Sequence, residues 1–291
     1  MSGLHTDDTE SVSGTLYVVA TPIGNLADIS ARALDILQSV ALVAAEDTRH
    51  SQRLFSHYDV RCDCIPYHEH SEEKTAQRVI NVLLAGDDVA LISDAGTPLI
   101  SDPGFRLIRR LQDRNITVSP VPGPSALIAA LSVSGLPTDS FVFAGFLPAK
   151  SGARKNRLEA FVAYPHTLIF YEAPHRILAC LQDMAEVLGG ARTAVLAREL
   201  TKRFETVRKA PLTELVEWVA SDSNQQRGEL VVLLEGANVD EATNEVRQIL
   251  SVLLAELPLK QAVSLAAKLS GAKKNEVYST ALAISKPDSK D

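Results

Sequence analysis

From Thr15 onward, short apolar runs alternate with stretches whose apolar residues recur at helical spacing. The runs Leu16–Ala20, Ala41–Ala45, Val89–Ile92 and Ile116–Ser119 read as strands, and Ile29–Leu37, Thr75–Leu84, Phe105–Gln112 and Ser125–Ser132 as helices. Strand followed by helix, repeated, predicts a mostly parallel sheet with crossover helices. The stretch from Gly135 to Ser140 breaks the rhythm and predicts a domain boundary. Strands resume at Phe141–Phe146, Thr167–Tyr171, Thr193–Ala197, Glu205–Arg208 and Glu229–Leu234, with helices at Ala153–Ala163, Pro174–Leu188 and Leu212–Ala220. Two successive strands around Thr201–Arg203 predict a hairpin, hence a mixed second sheet. After the polar linker Gly236–Thr243 only helical patterns remain: Asn244–Ala255, Leu259–Leu269 and Asn275–Ala283. The break Ser270-Gly271-Ala272 has the length of a helix-turn-helix corner. The expected organisation is a mobile tail over 1–14, α/β domains over 15–136 and 137–238, and a helical domain over 239–291.

Composition bounds what such a chain does. With 291 residues, 46% hydrophobic and 22% charged, it is long enough for two domains at roughly 100–200 residues each and excludes collagen, coiled coil and disorder. The longest uncharged run, Asn115 to Thr138, contains Pro120, Pro122, Pro124 and Pro137, so no membrane span is expected. Three cysteines give no disulfide framework and point to a reducing cytoplasm. A net charge of −7 argues against gripping nucleic acid by overall charge. Local clusters remain: Lys150, Arg154, Lys155 and Arg157 without an intervening acid, and Lys268, Lys273 and Lys274 near the C-terminus, read as phosphate contacts.

Candidate chemistry gathers at strand ends, where ligands sit in open α/β sheets. The first strand runs into Thr21-Pro22-Ile23-Gly24-Asn25-Leu26-Ala27-Asp28, with neither a dinucleotide fingerprint nor a P-loop. The most distinctive run is Ser93-Asp94-Ala95-Gly96-Thr97-Pro98-Leu99-Ile100-Ser101-Asp102-Pro103-Gly104. Its small residues let backbone approach a ligand, although Asp102 and Pro103 also fit a plain helix start. Val121-Pro122-Gly123-Pro124-Ser125-Ala126, Glu46-Asp47-Thr48-Arg49-His50, Phe170-Tyr171-Glu172-Ala173-Pro174-His175-Arg176 and Ala197-Arg198-Glu199-Leu200-Thr201-Lys202 occupy equivalent places. Ser125 is either a helix cap or a ligand contact. Cys62, Cys64, His68 and His70 lack a structural zinc spacing, so no metal is expected. No nucleophile elbow or zinc-protease helix occurs.

Taken in order, the Thr21–Ile29, Glu46–Arg49, Asp94–Gly104, Pro122–Ser125 and Phe170–Glu172 runs resemble the small-subunit ribosomal RNA methyltransferases of the tetrapyrrole methylase superfamily. The likeness extends from about Thr15 to the C-terminus. It implies a tetrapyrrole-methylase-like fold of two α/β domains plus a small helical domain, assembled as a homodimer. It implies S-adenosylmethionine as cofactor and 2′-O-methylation of a cytidine ribose (position 1402) in the decoding region of 16S rRNA of the small ribosomal subunit. The superfamily's cofactor contacts fall on Pro22, Gly96, Thr97, Pro98, Ile100, Ser101, Ser125, Ala126, Tyr171, Leu200, Glu229 and Leu230. Thr97 stands where tetrapyrrole enzymes have aspartate, and the first loop lacks their glycines; both weaken a corrin or porphyrin substrate. Asp47, Glu172 and His175 are the candidate bases for the hydroxyl proton. Arg49, Arg176 and Lys202 are candidates for holding phosphate or lowering the hydroxyl's pKa. A tetrapyrrole or small-molecule methylase is the alternative enzyme, and a DNA-binding regulator the alternative of another class.

Overall fold

A computed structural model describes residues 13–68, 72–101, 104–237 and 241–285. Most of the expected tail, together with His70, Asp102, Pro103 and Asn238, lies outside the described residues. The first sheet is built from β1 (Leu16–Val19), β2 (Leu42–Ala45), β3 (Cys64–Pro66), β4 (Val89–Ile92) and β5 (Val118–Val121), ordered β3-β2-β4-β1-β5. Every pairing in it is parallel. Parallel sheets need cover on both faces, and the buried β2 and β4 show why their sequences are apolar without a break. Leu42, Ala44, Val89 and Leu91 pack with α3 (Glu72–Leu84) and α4 (Phe105–Gln112). The alternate residues Val43, Ala45, Ala90 and Ile92 pack with α1 (Ala31–Ser39) and α2 (Thr48–His57).

Two of these elements have almost no apolar signature. Helix α2 buries only Ser51, Leu54 and Phe55, and β3 is three residues long. Strand β5 starts two residues later than its hydropathy predicts and takes in Pro120, which an edge strand tolerates because it need not donate outward. Helix α4 begins at Phe105 with Gly104 as its N-cap, at φ +130°. The helix start read at Asp102 and Pro103 is therefore displaced by two residues.

The second sheet contains β6 (Phe141–Phe146), β7 (Thr167–Glu172), β8 (Thr193–Arg198), β9 (Thr206–Pro211) and β10 (Leu230–Leu234), in the order β6-β7-β10-β8-β9. Strands β6 and β7 are parallel and the other pairs antiparallel, with the expected hairpin between β8 and β9. One face, carrying Leu168, Phe170, Leu196 and Val232, is covered by α6 (Ser151–Glu159), α7 (Ile177–Leu188) and α8 (Leu212–Ser221). The opposite face, with Ile169, Val195, Ala197, Val231 and Leu233, receives Leu127, Ala130 and Leu131 of α5 (Ala126–Ser134). Helix α5 precedes the Gly135–Ser140 break in the chain, yet it packs on the second sheet and ties the two halves together.

Helices α9 (Glu241–Glu256), α10 (Leu259–Ser270) and α11 (Lys274–Ser285) enclose a core of their own around Val246, Leu250, Val263, Ala266, Val277 and Ala281. Gly271, at φ +69°, turns the chain between the last two helices. Among the described residues no helix is long and apolar enough to cross a membrane.

Candidate functional site

A cavity of about 360 Å³ opens between the carboxyl ends of the first sheet's strands and one end of the second sheet's strands. The first half contributes Ile23 from the loop after β1, Ala95, Gly96, Thr97, Ile100 and Ser101 from the loop after β4, and Ser125 and Ala126 at the start of α5. The second half contributes Phe146, Tyr171–Pro174, Ala197, Leu200 and Gly228–Val231.

Local backbone chemistry shapes the first wall. Thr21 and Gly96 exchange both backbone hydrogen bonds, at 2.9 and 3.0 Å, which clips the first loop to the β4 loop. Gly96 adopts φ +83°, and Leu99 and Ser101 both sit at φ +75°. Positive φ in two side-chain-bearing residues is strain of the kind that collects at ligand sites. The Thr97 hydroxyl donates to the Pro124 carbonyl at 3.1 Å, bracing this loop against the next. Ser125 is the N-cap residue of α5 but makes no side-chain cap bond. Its hydroxyl is thus left for the cavity.

The second wall is held by two ion networks. Glu172 has a fully buried side chain, with its Oε1 3.1 Å from Arg176 Nε and accepting from Ala173 N–H at 2.7 Å. Arg176 also donates to the Leu147 carbonyl at 2.5 Å. This network sets the course of Ala173 and Pro174 along the cavity. At the mouth, Lys202 Nζ reaches Glu199 at 2.8 Å and Glu229 at 2.9 Å. Burial alone would raise the Glu199 carboxyl, but hydrogen bonds from Lys202 and the Glu229 backbone hold it below its ordinary value. Burial would likewise lower the Lys202 ammonium, yet its two carboxylate partners raise it. The Lys202 stem lies over Gly24, where a β-carbon would come within 2.5 Å of it. One lysine therefore spans both halves.

Of the sequence-derived cofactor residues, Gly96, Thr97, Ile100, Ser101, Ser125, Ala126, Tyr171, Leu200, Glu229 and Leu230 meet in this cavity. Pro22 and Pro98 are outside the lining and adjoin Ile23 and Thr97. Of the candidate bases, only Glu172 lines the cavity. His175 is exposed, one residue beyond the lining Pro174. Asp47 and Arg49 are exposed at the start of α2, where Asp47 Oδ1 accepts from Arg49 N–H at 2.8 Å and its own N–H donates to Asp94 at 3.0 Å. Burial and the charges of Asp94 and Asp47 raise the neighbouring Glu46 carboxyl despite a bond from the Asp94 backbone.

Several readings of single residues change. Arg176 and Lys202 spend their charge on carboxylates instead of phosphate. Arg154 is buried against Asp183 at 2.7 Å, and Lys155 pairs with Glu186 at 2.6 Å, so two of the four cations in the 150–157 run are spent on carboxylates. The missing compensating acids come from α7, far away in the chain. Cys62 and Cys64 pack with the α1 and α2 core, and burial raises both thiols, Cys64 to about 11. Residues missed as lining are Ile23, Ala95, Phe146, Ala173, Pro174, Ala197, Gly228 and Val231. Their only signal was position at strand ends.

The model for tetrapyrrole (corrin/porphyrin) methylases matches residues 15–216. The chain belongs to the tetrapyrrole methylase family. A second model, the RsmI C-terminal HTH domain, matches residues 240–285, the span of α9–α11. Ribosomal RNA small subunit methyltransferase I of Pseudomonas aeruginosa is 60% identical over 274 residues, covering 93% of this chain and 97% of that protein. The protein of the same name from Escherichia coli O157:H7 is 50% identical, over 94% and 96%. Among solved structures, a diphthine synthase matches with a TM-score of 0.60 at 15% identity, covering 76% of this chain and 90% of that one. Uroporphyrin-III C-methyltransferase from Thermus thermophilus, complexed with S-adenyl homocysteine, matches with a TM-score of 0.53 at 19% identity, over 76% and 97%. Such distant likeness establishes the fold. As a tetrapyrrole methylase family member the chain is a methyltransferase.

Proposed function

We propose that this protein methylates the 2′-hydroxyl of a cytidine ribose, cytidine 1402 of 16S rRNA, in the decoding region of the small ribosomal subunit. The observation that carries the reading is the reach of the likeness: relatives named for small-subunit rRNA methylation match over both the methylase core and the helical appendage. The porphyrinoid methylases share the fold at 20% identity or less and cover about three quarters of the chain, so a tetrapyrrole substrate has weaker support. The working compartment is the cytoplasm, where ribosomes and reduced cysteines belong together.

The cavity fits S-adenosylmethionine as the methyl donor. Its volume lies in the range of sites that enclose a small ligand. Ala126, Ala197, Leu200, Leu230 and Val231 offer an apolar wall for a purine, and Thr97, Ser101 and Ser125 place hydroxyls along the other side. The amino end of α5 opens on the cavity and suits a carboxylate. Gly96 lets the loop backbone approach, while Ile100, Tyr171 and Glu229 complete the enclosure, with Pro22 and Pro98 adjoining it. When bound, the donor supplies a methyl group already activated by its sulfonium. The chain must orient an oxygen and accept its proton, steps worth several powers of ten when geometry is held. We assign the proton to His175, an exposed imidazole beside the cavity wall. Glu172 is committed to Arg176 and Ala173, and Asp47 to capping α2. Arg49, exposed on the first turn of α2, is placed to meet RNA backbone. The uncharged helix α5 leaves Ile128 and Val133 exposed on its outer side, a surface that fits a second copy in a homodimer.

Small subunits from methylation-deficient cells, incubated with labelled donor, test this reading by mapping the modified nucleotide. Label on the ribose of cytidine 1402 supports it; label on a base, or on a porphyrinoid and no RNA, overturns it. In the same assay His175→Gln is expected to lower kcat roughly 10²–10⁴-fold at unchanged KM for subunits. An unchanged kcat removes His175 from the proton step.

A further inference from the structure

The hairpin turn between β8 and β9 leaves the cavity wall at Leu200 and presents Phe204 to solvent, 65% exposed. The Arg203 guanidinium carbon lies over the ring, 5.5 Å from its centroid. The turn carrying them is pinned on every side. Thr201 N–H donates to Glu205 at 2.6 Å, Lys202 N–H to the Glu199 carbonyl at 3.0 Å, and buried Arg198 to the Phe204 carbonyl at 3.1 Å. Glu199 and Thr201 hold positive φ, at +53° and +66°. Lys202 fastens the turn both to Glu229 in the cavity wall and to Gly24 in the first half. A bare aromatic ring on so constrained a turn costs little entropy to use. Charge also favours one kind of ligand: between Arg198 and Lys209 the chain has five basic residues and two acidic ones, against a net charge of −7 for the whole.

We propose that Phe204, with Arg203 over its ring, is a stacking platform for an unpaired base of the RNA substrate, beside the nucleotide whose ribose enters the cavity. The inference rests on the rRNA reading above. A ribose cannot enter the cavity while its nucleotide stays stacked between neighbours, and an exposed ring at the mouth replaces the stacking that is lost. Unpaired bases are recognised this way, by aromatic faces and guanidinium planes set in basic surroundings. The exposed cations Arg203, Arg208 and Lys209 then add a salt-dependent, sequence-independent contribution.

The test uses the full chain, small subunits lacking the methylation, and three forms: wild type, Phe204→Ala and Phe204→Trp. Phe204→Ala is expected to raise KM for subunits roughly ten- to hundredfold while calorimetric affinity for S-adenosylmethionine stays unchanged. Phe204→Trp is expected to restore KM to within severalfold of wild type, because any large aromatic face serves. An unchanged KM in Phe204→Ala overturns the platform, as does failure of tryptophan to rescue. A shift in sedimentation of Phe204→Ala also overturns it, by marking the ring as a contact between protein copies. If wild type does not methylate subunits at all, the rRNA reading itself has failed and the platform falls with it.

Discussion

At the level of single residues, Gly96 has the sharpest consequence. A β-carbon there would meet Ile23 at 3.4 Å and the Pro124 carbonyl at 3.7 Å, ordinary contact distances, so space is not the obstacle. The obstacle is φ +83°, which costs a side-chain-bearing residue about 1–2 kcal/mol and a β-branched one more. Gly96→Val is therefore expected to abolish measurable donor binding in a folded protein, and Gly96→Ala to weaken it about tenfold, both read by calorimetry. Equal affinity in all three would place the donor elsewhere. The glycine's importance was legible in the sequence, from a run of small residues between a buried strand and a helix. The left-handed backbone at Leu99 and Ser101 was not, because nothing about leucine or serine announces it. The same gap explains Arg154 and Arg176. Their charges are legible, but their partners Asp183 and Glu172 are settled only when α7 docks on α6 and β7 ends its run.

Among the elements, the strands and helices read from apolar periodicity lie within four residues of their expected ends, whereas α2 and β3 have no counterpart in that reading. Helix α2 reads as a charge run because it buries one narrow stripe, and three residues are too few to show alternation. Helix α5 is legible as a helix, but not its allegiance: apolar on all sides, it gives no hint of which sheet it covers. The β8–β9 hairpin makes a pH-dependent claim. Glu199 titrates below its ordinary 4.5, so its pairing contributes fully above that value and is lost as pH falls through the depressed one. Lys202 titrates above its ordinary 10.5, so its share is present below that value and lost as pH rises through the elevated one. The cross-cleft tie is thus intact across the neutral range. Donor affinity of Lys202→Met is expected to be severalfold weaker than wild type by a constant factor near neutrality. That factor should shrink only toward strongly acidic or alkaline pH; a factor that changes between pH values around 7 would mean another group governs the tie.

On the scale of the molecule, the helices α9–α11 close a core of their own, which suits a unit that can be removed without unfolding the α/β part. Exposed Lys268, Lys273 and Lys274 suit it to RNA backbone. A chain ending near Asn238 is expected to keep its affinity for S-adenosylmethionine and its oligomeric state in sedimentation, and to lose methylation of small subunits through weaker binding with a shallower salt dependence. Full activity of the shortened chain would remove these helices from RNA docking. A chain ended before Leu230 would fare differently, because of where β10 sits. The last strand of the second sheet along the chain is its middle one in space, wedged between β7 and β8. Before Leu230–Leu234 is synthesised, β6 has β7 and β8 has β9 as an available partner, but the two half-sheets share no edge. Until then β7 and β8 each present an apolar row of unpaired amides and carbonyls, the form of surface most prone to capture by another nascent chain. The domain that positions half of the cavity is completed by five residues inserted last. Neither half-sheet can close without it, and the wait for that strand leaves two apolar edges open.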